Sequence, residues 1–405
     1  MWKRLYHVFL FISPSLLTSI FLNFLYLIMK IVFCDNSLVS LIKFRGEVIK
    51  FFLDKKDDVI LVYPKITETD DIDDVFKIRC KRFALNMFPN GINPVRDVRY
   101  MWELYQVYQR EKPDVVFNYT IKPNIYSTLM AELSGVKNRV SVVAGLGYVF
   151  SGDGIVKKMA RRLYKFSLLH SSRVIVLNQE NYNLLLENDY VKADKIILFE
   201  GGEGVDLEKF KFASNSFEEY HFLMIARVLY DKGYSEFVQA AEMVKKKYPN
   251  AVFELLGAMD LTSPMGVAKQ QLDNDVKAGY ISYLGETKDV YSILSRNGVV
   301  VVLPSYHEGM NRSLMEACAV GRPIITSNIP GCKELVDDGK NGFLVEPKNA
   351  TDLADKILKF IDLDKEAQHN MCSYSREKAQ TIFDMKLVFE KYVQILREFS
   401  FSKSK

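Results

Sequence analysis

The chain has 405 residues, which is long enough for two or three domains of ordinary size. Its residues are 48% hydrophobic and 26% charged, and this composition excludes a disordered, collagen-like or fibrous protein. A net charge of +4 is too small for a dedicated nucleic-acid-binding protein, so no nucleic acid is expected as a partner. The five cysteines show no metal-ligand spacing and no CxxC pair, which is typical of a reducing compartment.

The first 28 residues differ from the rest of the chain. Residues 8–28 form an uncharged run of 21 residues, nominally long enough to cross a hydrocarbon layer of about 30 Å. Three interpretations are open: an extension upstream of a true start at Met29, a membrane anchor, or a cleaved signal peptide. If the run were an anchor, Lys3 and Arg4 would stay in the cytosol and the body of the protein would be exported.

From Met29 onward, short apolar runs alternate with amphipathic stretches. Helices are predicted near 39–53 and 101–112 and at the C-terminal run 383–398. Strands are predicted at 30–33, 57–64, 113–120, 139–144 and 173–177, and again at 220–228, 251–257, 281–285, 299–304 and 323–326. The strands are continuously apolar rather than alternating, and this pattern favours parallel sheets covered by helices on both faces.

A stretch rich in Gly, Ser and Glu interrupts this rhythm at residues 199–219. It predicts a hinge between two doubly wound, Rossmann-like α/β domains that face each other across a cleft. We assign residues 29–203 to the first domain and residues 204–382 to the second. The helix at 383–400 is expected to join the first domain.

In doubly wound sheets, ligands bind beyond the carboxyl ends of the strands. The strand predicted at 299–304 is followed by Glu308 and then by a short predicted helix, capped by Asn311 and stopped by Gly321. Glu316 lies inside that helix. The start of such a helix favours an anionic or hydroxyl-rich ligand, and two carboxylates beside it can bind sugar hydroxyls without a metal. A capping acid and a solvated helical acid would show the same pattern.

The motif Glu308-x7-Glu316, within EGMNRSLMEACAVGRPIITSNIPGCKELV, resembles the signature of retaining glycosyltransferase family 4. Other segments resemble the same family in the same order: GGEGVDLEKF (201–210), IARVLYDKG (225–233), LLGAMD (255–260) and YLGETKDV (283–290). In the first half, FRGEVI (44–49), YTIKPNIYS (119–127) and VAGLGYVF (143–150) are similar to bacterial members that add sugars to lipid-linked oligosaccharides. The resemblance covers residues 29–400 and implies the GT-B fold.

The resemblance also implies residue roles on the donor side. Arg227 and Lys232 would meet the donor diphosphate, and phosphate requires such multidentate cationic donors. Glu308 would accept hydrogen bonds from the transferred sugar, and Glu316 would hold the ribose of the nucleotide. The other donor-binding candidates are Gly285, Gly309, Met310, Asn311 and Arg312.

Two departures from the family pattern lie on the acceptor side. The loop after the first strand is DNSLVS (35–40), without the usual glycines, and YTIK (119–122) stands where many members place a histidine. Thr120 and Lys122 are therefore the acceptor-side candidates. Gly145 and Gly147 would let the backbone approach a ligand closely.

For two further motifs, a functional role is less favoured. His307 adjoins Glu308 at a position where the family varies. The acidic run Asp71–Asp74 superficially resembles a metal-binding DxD motif, but it is interpreted as a solvated loop remote from the nucleotide-binding half.

The implied activity is metal-independent transfer of a sugar, with retention of configuration, from a nucleotide-diphosphate sugar to a lipid-linked saccharide in polysaccharide synthesis. The donor is expected to be a UDP-sugar, and no cofactor or metal is expected. Two alternatives remain: a sugar-nucleotide epimerase of the same fold, and a non-catalytic nucleotide-sugar-binding subunit of an assembly complex. A nicotinamide dehydrogenase is disfavoured because no GxGxxG follows a strand.

Residues 154–166, GIVKKMARRLYKF, predict an amphipathic helix in the first half. Helical spacing places Lys158, Arg161, Arg162 and Lys165 on one face and Ile155, Met159, Leu163 and Phe166 on another. Such a helix suits an anionic membrane surface. The protein is therefore expected to lie in the cytoplasm, peripherally on the inner face of the plasma membrane, although a solvated basic helix would show the same pattern.

Overall fold

A computed structural model describes residues 28–89, 93–146 and 154–401. The predicted acceptor residue Gly147 and all but the last residue of the hydrophobic segment 1–28 lie outside the described residues. Within the described ranges, no helix is both long enough and apolar enough to cross a membrane.

The first sheet is formed by the N-terminal half of the chain. Its described strands follow the order β3-β2-β1-β4-β5-β6-β7, and neighbours such as β1 and β2 pair in parallel. The strands are β1 Lys30–Cys34, β2 Asp58–Pro64, β3 Lys81–Leu85, β4 Val115–Tyr119, β5 Asn138–Val143, β6 Arg173–Val176 and β7 Ile196–Leu198. The helices are α1 Leu38–Asp54, α2 Asp74–Arg79, α3 Pro94–Glu111, α4 Thr128–Leu133, α5 Ile155–Leu169 and α6 Gln179–Glu187.

The second sheet is formed by the C-terminal half. Its described strands follow the order β10-β9-β8-β11-β12-β13, again with parallel pairs. The strands are β8 His221–Ile225, β9 Val252–Leu256, β10 Ser282–Gly285, β11 Val299–Leu303, β12 Ile324–Ser327 and β13 Gly342–Val345. The helices are α7 Tyr234–Lys247, α8 Lys269–Lys277, α9 Val290–Leu294, α10 Arg312–Val320, α11 Ala350–Ile361, α12 Lys365–Lys378 and α13 Met385–Phe401.

The apolar strands explain why both sheets are parallel and covered by helices. Every residue of β4 and of β11, the latter with the sequence VVVVL, is buried. A strand without a solvent-facing side needs a helix layer on each face, and crossover helices provide these layers. The predicted α/β fold class with two Rossmann-like sheets is confirmed.

Three strands were not predicted, and each gives a weak sequence signal. β3 is an edge strand that begins with Lys81 and Arg82 and is buried only at its last residue. β7 has three residues, and β13 has four and begins with Gly342. Short edge strands do not show the continuous apolar run that identifies a central strand.

The described residues divide into two compact units whose limits differ from those of the sheets. The first unit takes its described residues from Met1–Phe117, Met130–Arg139 and Lys391–Lys405, and the second from Asn118–Leu129 and Val140–Glu390. Within the first unit, Tyr392 of α13 contacts the rings of Phe52 and Phe117 edge-on. The domain boundary at residues 203–204 stays a prediction.

Candidate active site

The helix α10 begins and ends where the sequence predicts. The Asn311 side chain accepts a hydrogen bond from the Leu314 N–H at 2.9 Å, which caps the start of the helix. Gly321 ends it in the left-handed conformation, with φ of +79°. The helix start therefore lies directly after the loop that follows β11, at the carboxyl edge of the second sheet.

Glu308 and Lys232 form an ion pair at this edge. Lys232 Nζ lies 2.8 Å from Glu308 Oε1 and also donates to the His307 carbonyl at 3.2 Å. The Lys232 side chain is only 18% exposed, and the Glu308 side chain is only 11% exposed. A Cβ at Gly233 would lie 2.1 Å from the Pro304 carbonyl oxygen, so only glycine allows the Lys232 turn to approach the β11 loop this closely.

Arg227 follows β8 and is paired with an acid in the loop after the neighbouring strand, β9. Its guanidinium lies 2.8 Å from Asp260 Oδ2, and the Arg227 side chain is 59% exposed. The Thr262 hydroxyl and the Ser263 N–H donate to Asp260, and these bonds, together with the Arg227 charge, lower the pKa of the Asp260 carboxyl. Arg227 and Lys232 thus place two cations in the loop after β8.

Glu316 lies on α10 and is 8% exposed. It accepts a hydrogen bond from Arg312 Nε, one turn earlier, at 3.0 Å. Two predicted donor-binding residues are therefore paired with each other, and Arg312 is held at the start of the helix.

The remaining donor-side candidates lie in loops at the same edge. The Asn311 N–H donates to the Gly331 carbonyl at 2.9 Å, so in this conformation it stabilises the loop. The Met310 side chain lies against Gly202, where a Cβ would be 2.5 Å from Met310 Cγ. Gly285 ends β10 in the left-handed conformation, with open space where its Cβ would stand.

On the acceptor side, the chain leaves β4 in an unusual conformation. Thr120 has a φ of +67°, which is strained for a β-branched residue, and its carbonyl accepts from the Asn124 N–H at 3.0 Å. Lys122 directly precedes a π-helical turn over Pro123–Ser127. Strain and π-helical turns are common at functional sites, and here both occur next to the predicted acceptor residues.

Gly145 and Gly309 lie close together within the second compact unit. A Cβ on Gly145 would be 3.7 Å from Gly309 Cα, and a Cβ on Gly309 would be 2.2 Å from the Ala144 carbonyl oxygen. The loop after β5 and the loop after β11 therefore contact each other through their backbones, and any side chain at Gly309 would force them apart.

Two residues that sequence reasoning missed lie at strand ends. Asn178 follows β6, and its side-chain amide donates to the Gly309 carbonyl at 2.8 Å. Asp35 follows β1 and is buried, and Oδ2 has no hydrogen-bond partner among the described residues. Burial raises the pKa of the Asp35 carboxyl, although the charge of Arg45 opposes the shift. In both cases the available signal was a polar residue just after a buried strand.

The predicted amphipathic helix is α5, and its apolar stripe is exposed. Ile155 is 80% exposed, Met159 64% and Phe166 51%, whereas Tyr164 and Leu168 are buried against β5 and β6. Of the four predicted docking cations, Lys158 and Arg162 are exposed and Arg161 and Lys165 are half-buried. Lys165 Nζ donates to the Asn188 carbonyl at 2.8 Å.

The acidic run after β2 forms surface ion pairs. Asp73 lies 3.2 Å from Lys50, and Asp74 lies 3.3 Å from Lys77. Over the described ranges, no group of three or more His, Cys, Asp or Glu side chains could hold a metal ion.

Known proteins resemble both halves of the chain. The family model "Glycosyl transferases group 1" matches residues 206–378, and "Glycosyl transferase 4-like" matches residues 33–178. A Campylobacter jejuni protein, N,N'-diacetylbacillosaminyl-diphospho-undecaprenol alpha-1,3-N-acetylgalactosaminyltransferase, is 28% identical over 91% of this chain and 98% of its own length. An Escherichia coli protein, UDP-Gal:alpha-D-GlcNAc-diphosphoundecaprenol alpha-1,3-galactosyltransferase, is 28% identical over 73% of this chain and 77% of its own.

Solved structures share the fold. A glycosyltransferase from Rickettsia africae superposes with a TM-score of 0.75 at 20% identity, covering 92% of this chain and 99% of its own. HepE from Anabaena, solved in complex with UDP, superposes with a TM-score of 0.73 at 16% identity, covering 91% of this chain and all of its own. Since family models match both halves and whole-length structures share the two-sheet architecture, the chain belongs to the group 1, family 4-like glycosyltransferases of the GT-B fold.

Proposed function

We propose that this glycosyltransferase moves a sugar from a UDP-sugar to a lipid-linked saccharide, with retention of anomeric configuration and without a metal. The observation that carries the proposal is the Lys232–Glu308 ion pair at the carboxyl edge of the second sheet, with Arg227 in the same loop after β8. These residues offer cations for a diphosphate and a carboxylate for sugar hydroxyls.

The ion pairs in the structure indicate how the site would respond to donor. Lys232 is held by Glu308, and Arg227 is held by Asp260. A diphosphate brings more negative charge than either carboxylate, so both cations would turn to it and Glu308 would be released toward the sugar. The dipole at the start of α10 favours an anion at the same place.

These groups would assist the chemistry as well as binding. Negative charge grows on the leaving diphosphate as the sugar–oxygen bond breaks. Once they have turned to the bound diphosphate, Arg227 and Lys232, together with the start of α10, would stabilise that charge without further reorganisation. The acceptor oxygen would bond to the anomeric carbon on the face from which the diphosphate leaves, and its proton would pass to the departing diphosphate oxygen. This retains configuration and uses no covalent sugar–enzyme intermediate.

The choice of donor and acceptor is supported by relatives. The names of the Campylobacter and Escherichia coli relatives include diphospho-undecaprenol acceptors, and the second also includes UDP-Gal. The HepE structure holds UDP. On this chain, Thr120, with its strained backbone after β4, and the nearby Lys122 would bind the acceptor.

A lipid-linked acceptor requires the enzyme to work at a membrane surface, and α5 would supply the contact. Its exposed face combines Ile155, Met159 and Phe166 with Lys158 and Arg162. Exposing large apolar side chains to water is unfavourable, and this cost is removed if they enter the headgroup region. Each cation near an anionic surface adds about 1 kcal/mol. The protein would therefore lie peripherally on the inner face of the plasma membrane.

Activity is tested by incubating the full chain with a panel of UDP-sugars and an undecaprenyl-diphosphate-linked monosaccharide. We expect UDP release that depends on the acceptor, and a product whose anomeric proton shows the configuration of the donor. A changed sugar nucleotide without UDP release would indicate an epimerase instead. Binding without either reaction would indicate a non-catalytic subunit.

The metal requirement is tested in the same assay. We expect activity to persist in EDTA, because Arg227, Lys232 and the helix start supply the positive charge. Loss of activity with the chelator, and recovery with Mg²⁺ or Mn²⁺, would show that the proposed metal-free mechanism is wrong.

Membrane docking is tested by flotation of the full chain with anionic liposomes. We expect the Lys158→Glu/Arg162→Glu double variant to bind more weakly than the native protein. The matched control, Lys246→Glu/Lys277→Glu, reverses two exposed lysines on α7 and α8 and should bind almost as the native protein does. Equal binding by the native protein and the α5 variant would rule out this surface.

A further inference from the structure

Asn178 makes two contacts at once at the end of β6. Its Oδ1 accepts from the Asn181 N–H at 2.8 Å and caps α6, while its Nδ2 donates to the Gly309 carbonyl at 2.8 Å. Asn178 is 2% exposed, and all these residues belong to the second compact unit. Because the cap fixes one end of the amide, the other end points at Gly309.

We infer that Asn178 is a positioning residue that orients the peptide between Gly309 and Met310 for the donor sugar. In a trans peptide, the N–H points away from the carbonyl. Since Asn178 holds the Gly309 carbonyl, the Met310 N–H is directed to the opposite side. This inference rests on the proposed function, in which Glu308 and the adjoining backbone bind the transferred sugar.

The loop 308–311 has little freedom to adopt another orientation. Glu308 is paired with Lys232, and the Asn311 N–H donates to the Gly331 carbonyl. Gly331 itself needs glycine, since its φ is +82° and a Cβ would lie 2.7 Å from the Gly309 oxygen. Between these fixed points, the Asn178 amide donates to the carbonyl of the Gly309–Met310 peptide and so fixes its orientation.

The contact matters because Gly309 follows Glu308 directly. A rotation of the Gly309–Met310 peptide would turn the Met310 N–H away from the sugar and shift the Glu308 backbone. Small displacements of groups that contact the transition state cause large losses of rate. The nucleotide itself would be bound by Glu316, Arg227 and Lys232, so its affinity should depend little on Asn178.

The test uses variants that keep the helix cap and lose only the donor to Gly309. Aspartate and serine cap helices about as well as asparagine, but Asn178→Asp presents a carboxylate to the Gly309 carbonyl and Asn178→Ser is too short to reach it. The matched control is Asn349→Asp at the start of α11, where Asn349 Oδ1 accepts from the Asp352 N–H at 3.0 Å.

We expect kcat to fall about 10- to 100-fold in both Asn178 variants, in line with the loss of a preorganised contact. The affinity for UDP should change less than about threefold, and the extra affinity that the sugar gives a UDP-sugar over UDP should be reduced. The melting temperature should stay within about 4 °C of the native value, as for loss of one hydrogen bond. Asn349→Asp should leave all these quantities unchanged.

The outcomes separate this inference from the proposed function. If the native protein transfers sugar and the Asn178 variants match it, the inference is wrong and the proposed function stands. A fall in melting temperature with kcat unchanged per folded molecule would show a purely structural role and also overturn it. If the native protein neither binds nor transfers from any UDP-sugar, the proposed function fails and the inference fails with it.

Discussion

Replacing Glu308 by glutamine should change UDP binding and turnover in opposite directions. In the structure, Glu308 Oε1 holds Lys232 Nζ at 2.8 Å, so the diphosphate of a donor must compete with this carboxylate for the lysine. The substitution removes that competition and one negative charge beside the phosphate site. UDP, which lacks the sugar, should therefore bind at least as tightly as it binds the native protein.

The magnitudes follow from the exposure of the pair. The Lys232 and Glu308 side chains are only 18% and 11% exposed, so the cost of desolvating both charges offsets most of their attraction, and we take a net of about 0.5–1 kcal/mol for the pair. This corresponds to roughly two- to fivefold tighter UDP binding. Turnover should fall about 100-fold or more, because a neutral amide accepts weakly from sugar hydroxyls in the transition state. Lys232→Ala should instead weaken UDP binding about 10- to 150-fold, the range for a charged hydrogen bond.

Titration calorimetry with UDP and a UDP-release assay measure the two effects on the same preparations. The matched control is Glu242→Gln, which removes the acid of a surface pair 3.2 Å from Lys246 on α7 and should change neither quantity. If Glu308→Gln weakened UDP binding as much as Lys232→Ala does, or if it turned over at the native rate, the assignment of both residues would be refuted.

Three further substitutions test other contacts. Glu316→Ala should weaken UDP binding about tenfold or more and leave kcat at saturating donor nearly unchanged, because the buried carboxylate is expected to hold the ribose. Calorimetry measures the affinity for UDP, and an affinity equal to that of the native protein would contradict this role. Arg227→Ala should raise the KM for donor about 10- to 150-fold in steady-state kinetics, and a normal KM would exclude phosphate contact. Glu111→Gln should flatten the loss of thermal stability on acidification. Burial raises the pKa of the Glu111 carboxyl, but hydrogen bonds from Lys81 and Arg110 outweigh burial and lower this pKa. The stabilisation from Glu111 is therefore present above the ordinary carboxyl pKa and is lost as pH falls through the lower folded value. Melting curves between pH 7 and 3 measure this, and parallel curves for variant and native protein would contradict it.

Local sequence determined the elements that carry the site. The capping residue Asn311 and the stop at Gly321 predicted both ends of α10 correctly. Both residues act through contacts within a few positions of themselves, so the local sequence is enough to identify them. The buried run VVVVL identified β11 in the same way. The order of apolar strands and amphipathic helices then indicated two parallel sheets, since parallel strands need crossover connections and these are usually helices.

For α5, the helical periodicity of the sequence did not indicate which face of the helix packs against the protein. The spacing separated an apolar stripe from a basic stripe, but an apolar stripe normally packs against the protein. Tertiary structure buried Tyr164 and Leu168 instead and left Ile155 and Met159 exposed. α5 has apolar side chains on two faces, and either face could pack against the sheet. Packing against β5 and β6 decided which of the two is buried.

Only the tertiary structure decided which side chains meet at the site. Lys232 and Glu308 are 76 residues apart, and Asn178 and Gly309 are 131 apart. Sequence indicated that each residue follows a strand, and therefore that it lies at a carboxyl edge. It could not indicate that Lys232 is held by Glu308 or that Asn178 fixes the Gly309 carbonyl. Such contacts depend on the path of several loops, and on glycines such as Gly233 that let two backbones come closer than any side chain would permit.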